Sequence, residues 1–185
     1  MTRLRCAVVG AGYLGGFHAQ KYAGFADCEL VGVADPSPEA RRRLQSELGV
    51  PGFPDHRDLL GRVDAVSIAT PTMLHHAVAR DFLEAGTHVL VEKPITATAD
   101  EARELIAIAG RRGLVLQVGH LERFNPVIRA VAGELVAPRF IESNRLAPFK
   151  PRGTDVSVVL DLMIHDIDLI EHIVHSPIES IDAIG

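Results

Sequence analysis

Gly10, Gly12 and Gly15 carry the clearest chemistry in this chain. They stand in the segment Gly10-Ala11-Gly12-Tyr13-Leu14-Gly15, the spacing G-x-G-x-x-G, between the apolar run Cys6-Ala7-Val8-Val9 and a helical pattern. A turn of this kind suits the phosphates of a dinucleotide. Gly10 permits a tight turn, Gly12 lets the backbone approach a pyrophosphate, and Gly15 lets the helix lie close to the strand. Unpaired N–H groups at the helix start then face the anion. Asp35 closes the next apolar run, Leu30-Val31-Gly32-Val33-Ala34, where the fingerprint expects an acid. Its carboxylate would accept hydrogen bonds from a ribose and repel a 2′-phosphate, so the residues predict NAD over NADP. Arg41, Arg42 and Arg43 lie just downstream and keep NADP as the lesser alternative.

Three further segments carry reactive side chains. Ala69-Thr70-Pro71 ends a third apolar run and Glu92-Lys93-Pro94 a fourth, on the rim where parallel strands gather ligands. Asp161 and His165 are four residues apart in a helical stretch, so one helix face would present a carboxylate and an imidazole together. Each also has a plainer reading. A lone lysine such as Lys93 is commonly solvated, His165 could sit at an interface, and Asp161 could be an N-cap. His75-His76 could be polar residues near a cap, and Phe124 and Phe149 packing residues. His120, His172 and His175 with Asp166 match no zinc spacing, so no metal is expected.

Strand ends and helix starts must position these groups, and the chain alternates the two. Strands are predicted at 4–9, 29–34, 63–69, 87–91 and 114–118, with helices at 13–24, 38–48, 74–86 and 99–112 between them. Ser37-Pro38 supplies an N-cap and first-turn proline, and Thr98-Ala99-Asp100-Glu101 a capping box ahead of Ala102, Leu105, Ile106 and Ala109. Gly113 stops that helix. Repeated strand–helix units predict an α/β fold with a doubly wound parallel (Rossmann) sheet. After residue 118 the pattern changes: a helix is predicted over Pro126–Gly133, a strand over Arg139–Leu146, a loop over Pro148–Gly153 and a helix over Asp161–Val174. A last strand signal, Ile178–Ile184, runs into the terminus. The expected division is 1–119 for nucleotide binding and 120–185 for the start of an α+β domain with an open mixed sheet, cut short.

Composition narrows the function classes. A chain of 185 residues holds one ordinary domain, or one and the start of another, and 47% hydrophobic content is ample for a core. No apolar run approaches the roughly 20 residues of a membrane span. Glycines break up the N-terminal apolar stretch, unlike a signal peptide. A net charge of −5 without a basic stripe argues against nucleic acid. Cys6 and Cys28 fall in or beside predicted strands, which suggests buried thiols and a cytoplasmic protein.

The glycine turn, Asp35, Thr70-Pro71 with His75, Glu92-Lys93-Pro94 and the Asp161/His165 pair together resemble the Gfo/Idh/MocA family of nicotinamide-dependent sugar oxidoreductases. The resemblance implies cofactor contacts from Gly10, Gly12, Tyr13, Leu14, Gly15, Asp35, Thr70, Pro71, His75, Glu92 and Lys93. It also implies that Lys93 hydrogen-bonds the reacting hydroxyl, that His165 accepts its proton, and that Asp161 orients His165. Members of the family continue beyond this length to complete the open sheet, through which self-association is expected. Val118-Gly119-His120-Leu121-Glu122-Arg123-Phe124-Asn125-Pro126, Arg145-Leu146-Ala147-Pro148-Phe149 and Asp161–Asp168 are similar to a branch of the family that oxidises UDP-N-acetylglucosamine at its 3-hydroxyl, a step toward the 3-amino sugars of lipid A. That implies substrate contacts from His120, Arg123, Asn125, Arg145, Lys150 and Arg152, whose cations suit a diphosphate. Two other functions are compatible with the family: a glycosidase that borrows NAD and returns it unchanged, and a non-catalytic NAD-binding regulator. Net NADH production separates the first from a dehydrogenase, and a proton acceptor beside the cofactor argues against the second.

Overall fold

Residues 2–146, 148 and 156–184 are described by a computed structural model. The chain divides into two compact units, one running to Gly119 and one beginning at His120.

In the first unit, strands and helices alternate as β1 (Leu4–Val9), α1 (Tyr13–Gly24), β2 (Cys28–Ala34), α2 (Pro38–Leu48), β3 (Gly52–Phe53), β4 (Ala65–Ile68), α3 (His75–Glu84), β5 (His88–Val91), α4 (Ala99–Arg112) and β6 (Leu116–Val118). All six strands are parallel, in the order β3-β2-β1-β4-β5-β6. The chain winds outward from β1 through β2 to β3, then crosses to β4 on the other side of β1. The carboxyl ends of β1 and β4 therefore flank the point where the winding reverses, which is where sheets of this class bind ligands. β1 is covered on both faces, so Cys6, Ala7, Val8 and Val9 are all buried and read as a continuous apolar run. Below one face Ala7, Val9, Val66, Ile68, Val89 and Val91 meet Phe82 and Leu83 of α3 and Leu105 and Ile108 of α4. On the other, Val8 and Val33 meet Ala19 of α1 and Leu44 of α2.

The helix starts form as their caps dictate. Ser37 Oγ accepts the Ala40 N–H at 3.3 Å. Thr98 and Glu101 exchange hydrogen bonds in a complete capping box. α1 differs: Gly12 occupies its N-cap and has no side chain to bond the first turn. β3 was not expected. At two residues it is too short to show a hydrophobic period, and it exists because Val33 and Ala34 offer it an edge.

The second unit holds a tight turn (Leu121–Phe124), α5 (Pro126–Val131), a wider π-helical turn (Val159–Met163) and α6 (Ile164–Val174). One expectation fails here. The stretches 139–146 and 178–184 form no strand among their described residues, so the mixed sheet expected of this unit is not formed by them. The reason is pairing: an extended segment needs a neighbour for its N–H and C=O groups, and neither stretch has one among the described residues. The helix expected over Asp161–Val174 is present and opens with the π-helical turn, where hydrogen bonds skip one residue further. Phe149, Lys150 and Arg152 lie outside the described residues. Among the described residues no helix is long and apolar enough to cross a membrane, and no three His, Cys, Asp or Glu side chains are grouped to hold a metal ion.

Candidate functional site

The first unit builds a cradle at the carboxyl ends of β1, β2, β4 and β5. Gly10 has φ of +95°, and a Cβ there would lie 2.5 Å from the Ala69 carbonyl oxygen, so only glycine lets the β1 and β4 ends close together. A Cβ on Gly15 would lie 1.7 Å from the Gly10 carbonyl oxygen, which no side chain survives. Gly12 is different: a Cβ would meet nothing within 4 Å, so the bareness of this position serves no packing need and leaves an open surface over the start of α1. Tyr13 is exposed beside it, its ring edge-on to Phe17 with centroids 4.9 Å apart, and Leu14 is exposed as well.

Asp35 directly follows β2, beside this surface. Its Oδ2 accepts the Ala11 N–H and its Oδ1 the Ser37 N–H, both at 2.7 Å, so the carboxylate is held still with lone pairs to spare. Arg41 donates to the Asp35 carbonyl oxygen, and Arg43 to the Ala11 and Gly12 carbonyl oxygens at 2.7 and 3.3 Å. The two guanidinium groups stand near the acid, but both are engaged with backbone rather than presented as a pair for a phosphate. Thr70 Oγ1 is buried with no hydrogen-bond partner among the described residues. A buried hydroxyl of that kind needs a partner, which a bound ligand or a water can supply. The bare Gly12 surface, the uncapped start of α1, the fixed acid and this hydroxyl fit a dinucleotide with an unphosphorylated adenosine ribose.

Behind the cradle, His75 is buried with Nδ1 2.8 Å from the Pro94 carbonyl oxygen and Nε2 2.9 Å from that of Thr70. It was expected at the cofactor. Both of its ring nitrogens face backbone, so it braces the Thr70-Pro71 and Lys93-Pro94 turns against each other. The Lys93–Pro94 peptide is cis, and Lys93 itself is half-buried. Pro71 is exposed at the start of the segment leading to α3. Glu92, also expected at the cofactor, is buried with His18 Nε2 2.9 Å from its Oε1. Sequence reasoning missed His18, whose partner lies 74 residues away.

The second unit places Asp161 in the π-helical turn and His165 in the first turn of α6, both half-buried. Several neighbours expected to bind substrate have partners within this unit. Arg123 grips buried Asp168 through Nε at 2.8 Å and Nη2 at 2.5 Å, and His120 Nδ1 lies 3.5 Å from the same carboxylate. That last contact lies outside hydrogen-bonding geometry, and Nδ1 has no hydrogen-bond partner among the described residues. Arg145 grips Asp166 at 2.6 and 3.0 Å, with Ser143 Oγ donating to the same group. Asn125 caps α5 by accepting the Val127 N–H at 3.0 Å. Arg123 and Arg145 are thus paired with carboxylates of α6, and Asn125 caps α5. Sequence inspection overlooked these partners because each could be named only once α6 and α5 were placed.

Burial pushes the Asp168 carboxyl up, but the Arg123 hydrogen bonds, with the His120 and Arg123 charges, outweigh it and hold the group below the usual carboxylate range. Because the folded value is depressed, the resulting stability is present above the unfolded carboxylate range and is lost as pH falls toward the folded value. Arg123→Ala should lower stability by about 1–3 kcal/mol, the cost of leaving a buried charged acceptor unpaired, kept modest by the guanidinium's 40% exposure. Thermal melting checks this: the gap between wild type and variant should narrow as pH drops below the carboxylate range.

The Gfo/Idh/MocA model, described as an oxidoreductase family with an NAD-binding Rossmann fold, matches residues 4–120. The chain belongs to the Gfo/Idh/MocA family. Its first unit is the family's NAD-binding domain. The chain is 49% identical over 171 residues to UDP-N-acetylglucosamine 3-dehydrogenase of Acidithiobacillus ferrooxidans, covering 91% of this chain and 54% of that protein. A solved structure of that dehydrogenase superposes with a TM-score of 0.86 at 47% identity, over 95% of this chain and 57% of the other. GenD2 from gentamicin A biosynthesis, solved in complex with NAD, superposes at 0.85 with 26% identity, over 96% of this chain and 55% of the other. This Gfo/Idh/MocA chain thus spans about half the length of the relatives it matches.

Proposed function

We propose that this chain belongs to an NAD-dependent dehydrogenase that oxidises the 3-hydroxyl of a UDP-linked N-acetylhexosamine. The observation that carries the reading is the 49% identity to UDP-N-acetylglucosamine 3-dehydrogenase, which runs through both units rather than the glycine turn alone. NAD, when bound, supplies the acceptor for the hydride that leaves the sugar carbon. The chain's residues do the rest. Gly10, Gly12 and Gly15 keep the cradle bare, and the N–H groups at the start of α1 face the pyrophosphate. Tyr13, Leu14, Thr70 and Pro71 line the adjoining surface, and Asp35 accepts hydrogen bonds from the adenosine ribose. His75 and Glu92 hold the rim turns from behind.

In this reading Lys93 donates to the reacting hydroxyl oxygen and holds positive charge where an alkoxide develops. His165 accepts the hydroxyl proton, and Asp161 orients the imidazole. His120 contacts the sugar, while Lys150 and Arg152 meet the diphosphate. The buried, free thiols suit a reducing cytoplasm, with burial and neighbouring Cys28 pushing the Cys6 thiol up to about 12. Exposed apolar side chains of the second unit, among them Phe124, Val127 and Phe140, support self-association there, which light scattering of the full-length protein checks.

Full-length protein given NAD should oxidise UDP-N-acetylglucosamine with net NADH, and with far higher kcat/KM than any free inositol. Preference for an inositol would reject the nucleotide-sugar part of the reading. Asp35→Ala should weaken NAD and narrow the preference for NAD over NADP. Calorimetric titration of both cofactors checks it, and tighter NADP binding by the unmutated protein would reverse the role given to Asp35.

A further inference from the structure

A buried hydrogen bond ties the helix of the cofactor cradle to the strand end that carries Lys93. His18 sits on α1, three residues past Gly15, with its Nε2 2.9 Å from Glu92 Oε1. The two side chains are only 14% and 7% exposed. Glu92 is fixed on its main chain too, its N–H donating to the Ile68 carbonyl at 2.9 Å. From the far side the chain leaving β6 closes over the carboxylate. Gly119 donates its N–H to the Val91 carbonyl at 2.8 Å, and a Cβ there would lie 3.0–3.1 Å from both carboxylate oxygens and their carbon. Three elements thus converge on one acid.

A carboxylate drawn this far from water is a poor source of net stability, because desolvation offsets most of the attraction of its partner. What such a pair supplies is geometry. Glu92 is one peptide from Lys93, and α1 is the helix whose start faces the phosphates. Fixing one to the other sets the height of Lys93 above the cradle, and a misplacement of about an ångström at a reacting group can cost on the order of a hundredfold in rate. We propose that His18 is a positioning residue: through Glu92 it holds the Lys93 turn in register with the cofactor cradle. The inference rests on the reading of Lys93 as the group that acts on the hydroxyl.

The test uses the full-length protein with His18→Leu, which keeps bulk and removes the donor, and His18→Gln, which keeps an N–H able to reach the carboxylate. His18→Leu should lower kcat roughly ten- to a hundredfold while leaving substrate KM and the calorimetric Kd for NAD within about threefold. His18→Gln should recover most of that loss. Backbone hydrogen exchange followed by mass spectrometry should quicken across residues 91–96 in His18→Leu and not across β1. An unchanged kcat, a loss confined to the Kd for NAD, equal loss in both variants, or unchanged exchange across 91–96 would each overturn the proposal. A wild-type protein that binds NAD but oxidises no sugar would instead sink the role of Lys93, and the exchange result would then decide alone whether His18 holds the turn.

Discussion

Lys93→Ala in the full-length protein is expected to lower kcat by at least roughly 10²–10³-fold, the usual cost of removing one donor aimed at developing negative charge. Affinity for NAD should stay within a few-fold, because the cradle groups belong to Gly10–Gly15, Asp35 and Thr70 rather than to the lysine. The half-buried position at the end of β5, with His75 bracing the following turn and Glu92 anchored before it, fixes the backbone from which the ammonium reaches. A loss that appears in kcat and kcat/KM together identifies an interaction made in the transition state. Steady-state kinetics with a parallel NAD titration decides the matter. More than about a tenth of wild-type kcat remaining would remove Lys93 from the chemistry.

His165→Asn should lower kcat by roughly two or more orders of magnitude and abolish the rise of rate with pH that a histidine base produces. His120→Asn should mainly raise KM. The structure sharpens this contrast, because His120 shares Asp168 with Arg123, whereas Asp161 precedes His165 across a π-helical turn. Such turns interrupt regular helix at some cost and recur at functional sites. Rate–pH profiles of both variants are the check. A pH limb that survives in His165→Asn and vanishes in His120→Asn would exchange the two roles.

Much of the first unit was legible because its strands are buried on both faces. Val8, Val33, Ile68 and Val91 sit in apolar runs that no amphipathic helix would show, and Ser37 and Thr98 announce their helices by local capping. The glycine turn was legible for the same local reason: its spacing encodes two close backbone approaches. Long-range pairing was not legible. His18 meets Glu92 across 74 residues and Arg123 meets Asp168 across 45, so nothing in the local pattern distinguishes a paired arginine from one awaiting a diphosphate. Residues 139–146 and 178–184 have the composition of strands, yet strand propensity is realised only against a partner edge. The π-helical turn escaped notice because a spacing of four residues keeps Asp161 and His165 on nearly the same side of either helix type.

The central claim is hydride transfer from the sugar's third carbon, and isotope transfer tests it most directly. Full-length protein would be incubated with NAD and UDP-N-acetylglucosamine carrying deuterium only at that carbon. The account predicts deuterium in the NADH formed, equimolar 3-keto nucleotide sugar, and loss of both signals in Lys93→Ala. NADH free of deuterium, or an intact UDP linkage with no keto product, would contradict it.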